Sequence, residues 1–168
     1  MSHMQQPGCK IREIDPQSQA EISLVAQRMR QTLIEVLGEE KGTAMYTMDW
    51  LTERVRWHLD PKRRVFLSEN EARQITGHAI ARIESGDDGI LLGYFSTVFV
   101  ALDSRRQGIA GTLLRHVESW FLENGIPKIV YNTAKNHSAI IALFSAHGYR
   151  ITYSEFEMIQ LTKVLSGS

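Results

Sequence analysis

The spacing of apolar positions changes several times along the chain, and each change marks an element. "CKIREIDP" (residues 9–16) alternates apolar and polar side chains through Ile11 and Ile14 and stops at Pro16, which predicts a first strand. Ser18 with Glu21 three residues on has capping-box spacing, and Ile22, Val25, Met29, Leu33 and Val36 then recur at helical intervals until Gly38. Residues 38–46 hold two glycines and no sustained period, so a loop is expected there. A second helix is predicted over 47–59, with Leu51, Val55 and Leu59 facing inward and "DPK" ending it, because proline disfavours helical backbone at the residue before it.

"RRVFLSEN", "ITGHAIARIE" and "GILLGYFSTVFVAL" are rich in β-branched and aromatic residues and predict three consecutive strands, with "SGDDG" (85–89) as a hairpin turn. After Asp103 the helical period returns, with Ile109, Leu113, Val117 and Phe121 on one stripe and "ENGIP" closing it. "KIVYNT" reads as a fifth strand, "NHSAIIALFSAHG" as a fourth helix, and "YRITYSEFEMIQLTKVL" as one or two final strands. Sequential strands favour an antiparallel meander, whereas the later strand–helix–strand unit needs a crossover and favours a parallel pair. The expected class is α/β with mixed pairing: a mostly antiparallel sheet of roughly six or seven strands flanked by about four helices.

Composition narrows the function more than the fold. With 168 residues, 43% hydrophobic and 23% charged, the chain suits one globular domain; "MSHM" reads as a tag remnant over residues 1–3 ahead of a natural start at Met4, leaving a domain over 4–168. Lys plus Arg and Asp plus Glu both number 19, so no whole-molecule charge draws the protein to nucleic acid or an anionic membrane. The single cysteine, Cys9, can form no intramolecular disulfide and has no metal-binding cluster around it, and no apolar run approaches the roughly 20 residues that span a bilayer. A cytoplasmic protein is expected.

"RRQGIAGTLL" (105–114) places two arginines and two glycines at the start of the third predicted helix. A helix start carries amides without intrahelical partners and a partial positive charge, and glycine lets an anion approach them. Alone, the stretch also fits a solvated basic turn, and it is neither G-x-G-x-x-G nor G-x-x-x-x-G-K-[ST]. Its position after a strand and before a helix, with Arg105-x-x-Gly108-x-Ala110, resembles the [Q/R]-x-x-G-x-[G/A] acyl-CoA motif of the GNAT superfamily of N-acetyltransferases. Asn136, Ala139, Phe144, Gly148 and Tyr149 resemble that family's second signature, in the expected order.

The resemblance implies acetyl-CoA as a consumed cosubstrate, a primary amine as its partner, no metal, direct attack in a ternary complex, and homodimers, which are common among proteins that look like this. It implies that amides from Gln107 to Thr112, those of Gly108, Ile109, Ala110 and Gly111 among them, hold the pyrophosphate, with Arg105 and Arg106 as charged donors. It further implies that the strands over 89–101 and 128–133 part to admit the pantetheine arm. Val98, Phe99, Val100, Asn132, Asn136, Ser138 and Phe144 would lie along that arm, with the Val98 N–H facing the oxyanion. Asn136 reads equally as a helix N-cap.

The proton chemistry departs from the family's pattern. Tyr94 stands where a catalytic Glu often lies; tyrosine is a poor base at neutral pH, which makes it a pocket wall and leaves Glu84 as the next candidate, with His78 as a base or a satisfied structural histidine. Phe144 replaces the usual proton-donating Tyr, so water or a hydroxyl of Ser138, Ser145 or Tyr131 substitutes, or the thiolate, with a thiol pKa of about 8.5, leaves unassisted. Cys9 lies far from the motif, so no acyl-enzyme is expected. Trp50, Trp57 and Trp120 are expected to pack in or against the core, and Met45, Tyr46 and Met48 to flank the acceptor cleft. The rival readings are a noncatalytic acyl-CoA-binding regulatory domain and, disfavoured by the neutral charge, a nucleic-acid module using Arg63, Arg64, Arg105 and Arg106.

Overall fold

A computed structural model describes residues 8–165; the tag reading of residues 1–3 and the start at Met4 lie outside them. The elements run β1 (Lys10–Glu13), α1 (Gln19–Leu37), α2 (Glu39–Met45), α3 (Met48–Trp57), β2 (Arg63–Glu69), β3 (Ile75–Ser85), β4 (Leu91–Val100), α4 (Ile109–Glu123), β5 (Lys128–Ala134), α5 (Ser138–Ala146), β6 (Arg150–Glu155) and β7 (Met158–Val164). Seven strands form one sheet in the order β1-β2-β3-β4-β5-β7-β6, with β4 and β5 as the parallel pair among antiparallel neighbours. The expected mixed, mostly antiparallel α/β sheet is present.

Local chemistry explains the helix boundaries. Ser18 caps α1 by accepting from the Glu21 N–H, while the Glu21 carboxylate accepts from the Asp15 amide and pairs with Arg12, so only half of the expected capping box forms. The loop expected over 38–46 is instead a short helix: Gly38, at φ 89°, ends α1, and the chain restarts with Glu39 and Glu40 in the first turn of α2, where acidic side chains suit the positive helix end. Thr47 then caps α3 through the Trp50 amide.

The sheet separates two cores. Leu113, Leu114, Val117 and Phe121 of α4, with Ile140 and Phe144 of α5, pack on one face against Ala79, Phe95, Val98 and Ile129. On the other face Ile22 and Val25 of α1 and Leu51 and Val55 of α3 cover Val65, Leu67 and Ile80. Close packing reaches the backbone at Gly93, where a Cβ would lie 2.7 Å from the Phe121 ring. Trp120 is buried as expected, but Trp50 and Trp57 are 46% and 38% exposed. The guanidinium groups of Arg54 and Arg63 lie over the Trp57 ring at 4.2 and 3.9 Å, cation–π contacts that suit an indole left at the surface.

Candidate active site

β4 and β5 pair only at Gly93–Ile129, Tyr94–Val130 and Phe95–Tyr131. Just beyond, β4 carries an extra residue: Phe95 opposes Ala81 and Thr97 opposes Ile80, which leaves Ser96 as a bulge that re-aims the strand. A cavity of about 480 Å³ opens where the two strands part, a wedge lined by the end of β4, the start of α4, the start of α5 and by Thr32 and Glu35 of α1. The Ala101 N–H donates to the Thr76 carbonyl at 2.8 Å, and antiparallel alternation then directs the polar groups of Phe99 to β3 and those of Val98 and Val100 into the wedge. The Val100 carbonyl accepts from Arg105 Nε at 2.8 Å.

The floor of the wedge is the start of α4. Arg106 (φ 64°) and the N-cap Gly108 (φ 78°, ψ 8°) both sit in the left-handed region, which favours glycine and costs an arginine energy. No side chain caps the helix and no acidic residue occupies its first turn. Positive backbone ends therefore meet the cavity together with Arg106. Arg105 turns away toward α1, its Nη2 lying 3.3 Å from Glu35 Oε1, and Glu35 lines the same cavity.

Of the residues read from the sequence, Val98, Phe99, Val100, Arg105, Arg106, Gly108, Ile109, Ala110, Gly111, Asn136 and Ser138 all line this wedge. Gln107 instead lines a separate polar cavity of about 240 Å³ with Asn70, Thr76 and Asp103. Thr112 is buried and donates its hydroxyl to the Gly108 carbonyl. Phe144 is fully buried, stacked on Tyr131 at 4.7 Å and edge-on to Phe95 at 5.1 Å, so it is a core residue and not a wall of the wedge. Asn136 is not the N-cap of α5; His137 holds that place, without a side-chain capping bond.

A second cavity, about 540 Å³, lies on the other face of β4, between α1, α3 and strands β3 to β5. Thr32 and His137 line both cavities, so the two meet there. Tyr94 and Asn132 line the second cavity, as do Tyr46 and Trp50, whose rings stack at 4.5 Å. Glu84 and Ser145 line neither: the exposed Glu84 carboxylate pairs with Arg82 Nε, and Ser145 lies on the exposed side of α5. His78 is also in neither cavity. It is fully buried against Phe99 with no hydrogen-bond partner at either ring nitrogen among the described residues, and burial lowers its pKa to about 3, so it is neither a base nor a satisfied histidine.

Sequence reasoning missed Arg54, His58, Arg82 and Ser96 in the second cavity. His58 Nδ1 lies 2.9 Å from the Arg54 carbonyl, which can only accept, so Nδ1 carries the proton and Nε2 accepts from Ser96 Oγ at 3.4 Å. Ser96 Oγ also accepts from Arg82 Nη1 at 2.9 Å. Burial, reinforced by Arg54, Arg82 and Arg63, brings the His58 pKa down to about 4. Burial also lowers the pKa of His137, partly offset by Glu35, and pushes that of Tyr131 up to about 12. The Arg54–His58 contact spans one helical turn and was readable as spacing; its convergence with a bulge serine was not.

Solved structures with the same fold cover nearly the whole chain. A PaiA N-acetyltransferase from Thermoplasma acidophilum in complex with coenzyme A is 11% identical with a TM-score of 0.75, over 94% of this chain and 99% of that one. A ribosomal-protein-alanine N-acetyltransferase from Brucella melitensis is 17% identical at 0.73, over 93% and 99%. A spermidine N-acetyltransferase from Vibrio cholerae in complex with CoA and spermine is 16% identical at 0.70, over 94% and 95%. At such identities the likeness is one of fold. No curated protein matches in sequence. The family model described as "Acetyltransferase (GNAT) family" matches residues 26–149, from the middle of α1 through the Gly148–Tyr149 signature, and the chain belongs to that family.

Proposed function

We propose that the protein transfers an acetyl group from acetyl-CoA to a primary amine by direct attack in a ternary complex. The observation that carries this reading is the junction of two cavities across β4: Val98 lines one, its neighbour Thr97 lines the other, and Thr32 and His137 line both. A thioester whose diphosphate rests on the first amides of α4 and whose arm pairs with Val98 would present its carbonyl at that junction, with the Val98 N–H as oxyanion donor. The CoA and spermine held by the Vibrio cholerae protein support a thioester and an amine as the two partners. A second cavity continuous with the first favours an enzyme over a noncatalytic CoA sensor.

An ammonium of ordinary pKa, about 10.4, must lose its proton before attack. The second cavity supplies no carboxylate, but Arg54 and Arg82 line it and disfavour a second cation, which lowers the ammonium pKa. His137, kept neutral by burial, stands at the junction to receive the proton. Tyr131 is a poor donor to the leaving thiolate, since burial holds its hydroxyl near 12 while a thiol titrates near 8.5, so the thiolate departs without a phenolic acid. Thiol release from acetyl-CoA against a panel of amines tests the reading: turnover above the acceptor-free rate supports it, and tight CoA binding with no turnover on any amine contradicts it.

A further inference from the structure

The second cavity has an unusual charge balance. Among the described residues its lining includes Arg54 and Arg82 and no Asp or Glu. Arg82 is partly committed, through Nε to Glu84 and Nη1 to Ser96, and its guanidinium lies 4.7 Å over the Tyr94 ring. Arg54 makes no ion pair among the described residues and only rests over Trp57. Burial first, and then the neighbouring charges of Arg82 and Arg63, depress the Arg54 pKa against the opposing influence of Glu84 and Tyr46. A guanidinium facing a cavity in this state is a fork of donors matched to an oxyanion.

The remaining wall is apolar and aromatic. Tyr46 and Trp50 form a stacked pair, and Met29, Leu33 and Leu37 of α1 continue the surface. Ser96 and His58 satisfy one another, so the bulge offers no acid that could hold a cation.

We propose that the acceptor is a small amine that also carries an oxyanion, a carboxylate or a phosphate, held by Arg54 with help from Arg82, and an apolar or aromatic body resting on Tyr46 and Trp50. This assignment rests on the transfer reading above and names its substrate class. The oxyanion neutralises the cationic wall and places the amine at the junction with the thioester cavity, where His137 receives its proton. Polyamines, whose every charge is positive, are disfavoured by the same wall.

Two measurements made together test it. The first compares kcat/KM for phenylalanine, phenylalaninamide, phosphoethanolamine and spermidine with acetyl-CoA, in the native protein and in Arg54→Gln. The native protein should prefer phenylalanine or phosphoethanolamine over the amide and spermidine by tenfold or more, the better of the two identifying the oxyanion, and Arg54→Gln should erase that preference mainly through KM. The second is calorimetric binding of 3-phenylpropionate and of inorganic phosphate to the CoA-loaded protein, which needs no turnover. Oxyanion binding that Arg54→Gln abolishes, without turnover on any amine, supports the oxyanion site and overturns acetyl transfer. Equal turnover of acid and amide, unchanged in Arg54→Gln, overturns the oxyanion site and leaves transfer standing. Failure of both anions to bind, or preference for spermidine, overturns the proposal.

Discussion

The two cavities on either side of β4 are built from different materials. The wedge beyond the β4–β5 pairing draws its polar groups chiefly from backbone: those of Val98 and Val100, the left-handed turn at Gly108, and the amides that open α4. Most of it comes from one continuous stretch, residues 98–111. The second cavity is made of side chains drawn from α1, α3 and β3 to β5, among them Met29, Trp50, Arg54, Arg82 and Asn132. A backbone site suits what every substrate shares, in the proposed reading a diphosphate and an amide-bearing arm, whereas a side-chain site can change its specificity without disturbing the fold.

The comparison can be broken from the backbone side first. Gly77 faces Val100 across the β3–β4 pairing, and a Cβ there would meet the Phe99 carbonyl at 2.5 Å, so either strand must move. Gly77→Ala should cost about 3 kcal/mol in urea unfolding and weaken CoA binding in the fraction that folds. A side-chain change of the same size in the second cavity, such as Thr97→Ser, should cost less and leave CoA affinity unchanged.

Acid sharpens a different contrast, between buried histidines and exposed ones. His58 and His78 are held near 4 and 3 against an ordinary 6.5, so the unfolded chain binds protons that the folded chain refuses. Neither adds a proton-linked cost above about pH 6.5, and below it the folded state loses stability progressively as the pH drops toward 4 and then 3. His78→Leu, placed between Leu67 and Phe99, removes two orphaned nitrogens and should raise stability by about 2 kcal/mol at pH 7, and by more at pH 5. Thermal melts at the two pH values measure this; a variant less stable at pH 5 than the native protein would refute it.

The smallest effect concerns Glu35. Its carboxylate lines the wedge and holds Arg105 at the surface, so Glu35→Gln should release Arg105 toward the diphosphate and tighten CoA about threefold, the scale of an exposed pair. Titration calorimetry would detect it, and weaker binding would show that Glu35 positions Arg105 productively.

Legibility followed the same division. Periodicity placed β1 to β5 and the four longer helices, because alternation and helical stripes are local signals; it left β6 and β7 as one or two final strands, and α2 was read as a loop because seven residues with two small ones carry too little pattern. The wedge was legible through its glycines and its position between strand and helix. Gln107, Thr112 and Phe144 do not line it, since neighbours on a turn or helix point different ways and a motif does not say which residues reach the cavity. The second cavity was legible at Tyr46 and Tyr94, read as walls of an acceptor cleft, but not at its polar groups: Arg54, Arg82 and Ser96 are ordinary residues until the bulge and α3 bring them together. Glu84 and Ser145 failed as candidates for the same reason, chosen by proximity in sequence to the right elements.

The most direct test of the account compares Gly108→Asp with Gly108→Asn by titration of CoA. Both side chains tolerate the left-handed backbone at φ 78° and match in shape, so they differ mainly in charge at the diphosphate site. The account predicts that the Asp variant binds CoA at least about tenfold more weakly than the Asn variant, while the two bind pantetheine, which lacks the diphosphate, equally well. Equal CoA affinity in two folded variants would contradict it.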